Sequence, residues 1–251
     1  MRVEHIGDAT LYLADCMDIM RDMPEKAFDL AIVDPPYGDA GGGLAGSEAV
    51  NVRRVVRQVQ HRGVNHAFGG RFERYAPPTE GGQPSDIRHW DFAPPPEYFD
   101  ELFRVSRFQI IWGGNYFSLP PSRNFIIWRK LTISENFSMA MAEYAWTNIP
   151  GNAKVFECAP QDSNRFHPTQ KPIALYKWLL SRYAELGYKI LDTHGGSGSS
   201  VIACYDMGYP ITWIEKDEDY FNQAYKRIEA AYQQPRLFDE PKPSCRQAVL
   251  L

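Results

Sequence analysis

Nothing in this 251-residue chain approaches the ~20 consecutive apolar residues that span a bilayer. The opening stretch, MRVEHIGDATLYLADC, has no apolar core leading to a small-residue cleavage site. Both absences set the expectation of a cytoplasmic protein. Cysteine is scarce: Cys16, Cys158, Cys204 and Cys245 stand far apart, and none belongs to a CxxC or to a Cys/His pair with zinc spacing. An HEXXH is also missing, so reduced thiols and no bound metal are expected. A surplus of positive charge is lacking too. The net charge of -4 excludes a generally basic nucleic-acid coat but leaves room for a local basic face.

One segment supplies such a face. From Asn51 to Tyr75 the chain carries Arg53, Arg54, Arg57, Arg62, Arg71 and Arg74 against a single acid, Glu73. A solvated surface segment would account for this; so would contact with phosphates. Residues 39–90 also hold nine of the 19 glycines, which marks them as an inserted loop region.

Elsewhere apolar runs alternate with helical periodicity. Strands are expected at TLYLA (Thr10–Ala14), FDLAIVD, FQIIWGG, NFIIWRK, AEYAWTN, YKILD and PITWIE. Helices are expected at CMDIMRDM, PPEYFDELFRVS, PIALYKWLLSRYAELG (stopped by Gly187), GSSVIACYDMG and DEDYFNQAYKRIEAAYQQ. The alternation predicts an α/β domain over 1–234: a doubly wound, mostly parallel, Rossmann-like sheet that binds its ligand beyond the carboxyl ends of the strands. Residues 39–90 would form an insertion whose arginines suit phosphate contact, and 235–251 a flexible tail.

Two motifs follow strands. ILDTHGGSGSS opens a helix, but has no lysine for a Walker loop and has Val201 where a dinucleotide fingerprint needs its third glycine. What remains is a loop whose backbone can approach a ligand closely, with Asp192 at the strand tip. That carboxylate suits an amino group and would repel a pyrophosphate. Glu215, 23 residues on, ends the next strand and suits ribose hydroxyls. Two such acids and a glycine loop fit S-adenosylmethionine (SAM), although an ordinary βαβ turn capped by serines would read similarly. Asp15 closes the first strand; it fits an acceptor for an adenine amine if that strand neighbours the Glu215 strand, and equally fits a helix N-cap.

The other motif is Asp34-Pro35-Pro36-Tyr37. Neither proline has an N–H, and each restricts the residue before it. The Asp34 carboxylate and Pro35 carbonyl can then face one point as fixed acceptors. A rigid strand-end turn is the bland alternative. The chemical reading is an exocyclic aromatic amine, held by both N–H groups so that its nitrogen faces an electrophilic methyl. Tyr37 would stack on a base taken out of its duplex.

These motifs resemble those of the amino-DNA methyltransferases. Asp34-Pro35-Pro36-Tyr37 is similar to their DPPY motif, and DTHGGSG to their DPFxGSG cofactor motif, in the order of the β class. RFHPTQKP (Arg165–Pro172) resembles the cofactor-flanking segment of that class, and IIWGGNYF and ISENFSMAMAEYAWT resemble orphan methyltransferases of phages and prophages. The resemblance implies an adenine-N6 DNA methyltransferase, with cytosine-N4 transfer or an inactive nucleic-acid-binding module as alternatives. It implies that Asp34, Pro35, Pro36 and Tyr37 are catalytic. It implies a SAM site drawn from Asp15, Cys16, His167, Thr169, Lys171, Asp192, His194, Gly195, Gly196, Ser197, Gly198, Ser199, Glu215 and Lys216, with Thr169 and Lys171 near the cofactor carboxylate. Thr193 and His194 depart from the usual Pro-Phe of the family. Double-stranded DNA is the expected partner, for a monomer or homodimer in a bacterial host cell. The tail segment Gln234–Phe238, QPRLF, also resembles peptides that dock on the replication sliding clamp.

Overall fold

A computed structural model describes residues 1–38, 92–134, 140–160 and 165–234. The six arginines of the insertion and all of the expected clamp-docking peptide except Gln234 lie outside them. The chain falls into two units, Met1–Pro35 with Pro95–Leu251, and Pro36–Pro94.

In the first unit, nine strands form one sheet among the described residues: β1 (Arg2–Ile6), β2 (Ala9–Leu13), β3 (Phe28–Val33), β4 (Ser106–Trp112), β5 (Phe125–Lys130), β6 (Ala142–Thr147), β7 (Lys154–Cys158), β8 (Ile190–Asp192) and β9 (Ile211–Glu215). Their order is β1-β2-β9-β8-β3-β4-β6-β5-β7. The run β2-β9-β8-β3-β4 is parallel throughout. Antiparallel pairing is confined to β1 with β2 and to β6 with its neighbours β4 and β5. The sheet is therefore mostly parallel, as expected.

Strand β3 shows why this sequence makes a central strand. FDLAIV is apolar almost without a break because both faces are covered. Leu30 and Ile32 join one core, with residues of α3 (Ile173–Tyr183), α4 (Ser199–Met207) and α5 (Glu218–Gln233). Ala31 and Val33 join the other, with residues of α1 (Cys16–Arg21) and α2 (Pro96–Val105). Alternation at period two thus sorts one strand between two helical layers, which is the doubly wound arrangement.

Two differences from the expected elements have local causes. Helix α3 ends at Tyr183, short of Gly187, and Ala184 is extended. The Ala184 carbonyl accepts from the Tyr209 hydroxyl at 3.2 Å, which secures the chain after it leaves the helix. Strands β1 and β7, absent from the expected set, are the two outer strands of the sheet. Their alternating, partly exposed sequences RVEHI and KVFEC lack the apolar run that marks a central strand.

Candidate active site

The parallel run brings four carboxylates to the carboxyl ends of four successive strands. Asp34 follows β3, Asp192 ends β8, Glu215 ends β9, and Asp15 lies two residues beyond β2. Strand β2 is the direct parallel neighbour of β9, with Leu13 opposite Glu215. Asp15 caps α1, accepting from the Met17 N–H at 2.9 Å. Cys16 begins that helix, and burial pushes its thiol up to about 12, so it stays a neutral thiol. Lys216 follows Glu215 and is exposed.

The glycine loop between β8 and α4 is shaped by what lies against it. The Gly195 backbone rests on the Trp213 ring, and a Cβ there would stand 1.9 Å from a ring atom. Gly196 has φ +51° and donates its N–H to Glu215 Oε2 at 2.8 Å. The other oxygen of Glu215 accepts from the Asp217 N–H at 2.9 Å. Gly198, φ +74°, caps α4. Ser197 Oγ and Ser199 Oγ are 3.1 Å apart, and Arg227 donates to the Ser197 carbonyl and to Ser199 Oγ. The loop is thus a tight backbone cradle between two acids.

Asp192 is only 1% exposed. It accepts from Ser200 Oγ at 2.6 Å and from the His194 N–H at 3.2 Å. Burial nevertheless dominates and raises its carboxyl to about 7, with Asp34 and Glu215 adding repulsion. A buried carboxylate in this condition fits a cationic ligand group such as the SAM ammonium, and the glycine cradle admits close approach. These residues fit SAM.

His194 fills the position where the resembled family often has phenylalanine. Burial holds its ring near a pKa of about 3, so it is neutral. It packs edge-on against Tyr98 at 5.2 Å, while the Thr193 hydroxyl bridges Tyr98 Oη (2.7 Å) and His194 Nδ1 (3.0 Å). An uncharged ring therefore remains in this place.

The segment RFHPTQKP runs into α3. His167 Nδ1 accepts from the Thr169 N–H at 3.3 Å, and its ring meets Tyr220 edge-on at 4.3 Å. Burial, then the charge of Lys171, pushes it down to about 4. A Cβ on Gly196 would meet that ring at 3.3 Å. His167 thus braces the glycine loop as a neutral ring. Lys171, expected near the cofactor carboxylate, forms an ion pair with Asp34 and a second with Glu143 at 3.2 Å. Glu143 also pairs with Lys130 at 2.6 Å. Burial opposes the charge on Lys171, but Asp34 and Glu143 outweigh it and hold the ammonium above its ordinary range.

Glu143 and Lys130 escaped the reading of the sequence. One signal was available: Glu143 is the only charge in the strand AEYAWT. Pro35 is buried beside Asp34, while Pro36 and Tyr37 begin the second unit, where Gly38 has φ +59° and lies against Ala93. Among the described residues no group of His, Cys, Asp or Glu has the makings of a metal site.

Known proteins resemble this chain in sequence and in fold. Residues 144–226 match the DNA methylase family of the N6/N4 type, a range that includes Lys171, Asp192 and Glu215. The Type II methyltransferase M.ScaI of Streptomyces caespitosus is 23% identical over 264 residues, covering 90% of this chain and 83% of the relative. The crystal structure of an M1.HpyAVI–SAM complex has a TM-score of 0.52 at 19% identity, covering 87% of this chain and 99% of that one. The cytosine-N4-specific PvuII DNA methyltransferase has a TM-score of 0.50 at 11% identity, covering 89% of this chain and 91% of its own. At these identities the two structures speak for the fold, whereas the family match and the order of motifs speak for the chemistry. Together they support an N6/N4 DNA methyltransferase that uses SAM.

Proposed function

We propose that this protein methylates the exocyclic N6 of an adenine turned out of double-stranded DNA. The observation that carries the reading is the common edge: Asp34 directly follows β3, and Asp192 and Glu215 end its successive parallel neighbours β8 and β9. A donor held at Asp192 and Glu215 would face an acceptor held at Asp34. In this reading Asp192 takes the ammonium of SAM, Glu215 its ribose and Asp15 its adenine, and the Gly195–Ser199 loop lets the backbone approach. SAM supplies the electrophilic methyl group. Asp34 and the Pro35 carbonyl accept the two N–H groups of the target amine, which leaves the nitrogen lone pair free to point at that methyl. Tyr37 stacks on the extruded base. The adenine preference rests on aspartate, rather than serine, opening the Asp34-Pro35-Pro36-Tyr37 motif. Cytosine-N4 transfer is the second reading, because the matched family takes in both reactions.

Two measurements test this. Asp34→Ala should bind SAM in calorimetry as the wild type does, yet lose methyl transfer to DNA. Undiminished transfer by that variant refutes the assigned role. Mass analysis of digested product DNA, with methylome sequencing after expression in a methylation-free host, separates N6-methyladenine from N4-methylcytosine and reports the modified site.

A further inference from the structure

Four charged side chains form a line leading away from the catalytic turn: Asp34, Lys171, Glu143 and Lys130. They come from four places in the chain: the residue after β3, the segment before α3, and strands β6 and β5. The ion pair between Lys171 and Asp34 is followed by Lys171–Glu143 at 3.2 Å and Lys130–Glu143 at 2.6 Å. The Lys171 side chain is 3% exposed and that of Lys130 7%, so the two cations are interior, while the Asp34 and Glu143 carboxylates are part-buried. Its charges balance, two of each sign. Lys171 also lies 5.3 Å from the centre of the fully buried Trp112 ring, which blocks its withdrawal on that side.

Lys171 engages one oxygen of Asp34, Oδ2. A carboxylate gripped at one oxygen loses rotation about its own axis. Orientation is what a target amine requires, since its two N–H groups must find acceptors at fixed points for the lone pair to be aimed. Glu143 and Lys130 continue the chain, so the ammonium is itself held in place.

We propose that Lys171, steadied by Glu143, is a positioning residue for methyl transfer: it fixes the Asp34 carboxylate for the incoming amine and does not hold the cofactor. This rests on the methyl-transfer reading of Asp34.

The test pairs SAM affinity by calorimetry with single-turnover transfer to DNA at saturating SAM. Lys171→Met is expected to bind SAM like the wild type and to lose transfer rate on the order of 100-fold, the scale of a misplaced reacting group. Lys171→Arg should restore a large part of that rate. Lys171→Met leaves two part-buried carboxylates without their shared cation, and this strains the fold. Lys171→Met/Glu143→Met removes one charge of each sign; it should melt near the wild-type temperature and show the same loss of rate. Wild-type rates in the double variant would overturn the proposal. So would weakened SAM binding with an unchanged saturated rate in Lys171→Met, which would assign Lys171 to the cofactor. A wild-type protein that binds SAM but never methylates DNA would sink the functional reading itself, and the proposal with it.

Discussion

At the scale of single residues, Asp192 is the group whose chemistry is most exposed to measurement. Its carboxyl is raised from 3.8 to about 7 by burial, so the folded chain binds that proton more tightly than the unfolded chain. The stability this contributes is full below about pH 4 and is lost as pH rises through about 7. A cationic ligand group reverses the balance by favouring the ionised carboxylate. Affinity for SAM should therefore rise between about pH 6 and pH 7.5, and titration calorimetry should show the rise vanish in Asp192→Asn. His167 and His194, pushed down to about 4 and about 3, stay neutral across that window and do not obscure it. The place of Asp192 was legible, because an apolar β run leading into a glycine loop puts the carboxylate between them at the strand tip. The pairing of Asp34 with Lys171 was not: 137 residues separate them, and no local pattern links the two.

At the scale of elements, helix α5 offers a clean test of local design. Asp217 precedes the helix and accepts from the Tyr220 N–H at 3.0 Å, with Glu218 and Asp219 in the first turn. Those acids face the positive end of the helix dipole. Replacing Asp217 with alanine should cost about 1 kcal/mol of stability, seen as a lowered melting temperature. The backbone N–H that Asp217 gives to Glu215 survives the change, so SAM binding should persist. Most elements could be read from the sequence because burial and periodicity agree in them. FDLAIV is covered on both faces, and the last helix carries its own cap. Strands β1 and β7 could not, since an outer strand buries little and its sequence resembles a loop. The end of α3 depended on Tyr209, a residue from beyond the following strand.

At the scale of the whole molecule, charge is distributed against the average. The net charge is -4, yet six arginines gather between Asn51 and Tyr75. On the methyl-transfer reading proposed above, they would contact the DNA backbone. Replacing Arg53, Arg54 and Arg57 together with alanine should weaken duplex binding regardless of sequence while SAM affinity stays unchanged. The slope of log affinity against log salt should flatten by about 0.9 for each phosphate that the variant no longer neutralises. No helix among the described residues is long and apolar enough to cross a membrane.

The sequence by itself determined the class of fold, the order of the two motifs and the identity of the acids at the ends of β3, β8 and β9. These follow from local physics: apolar runs become central strands, glycines mark tight loops, and prolines stiffen the turn they occupy. Only the tertiary structure decided which strands are neighbours, and so that β2 lies beside β9 and brings Asp15 to the same edge as Glu215. It also decided that Lys171, Glu143 and Lys130 form a largely buried line behind Asp34. A charge can be buried when a partner lies within ion-pair reach, and that partner is set by strand order and by the packing of segments far apart in sequence.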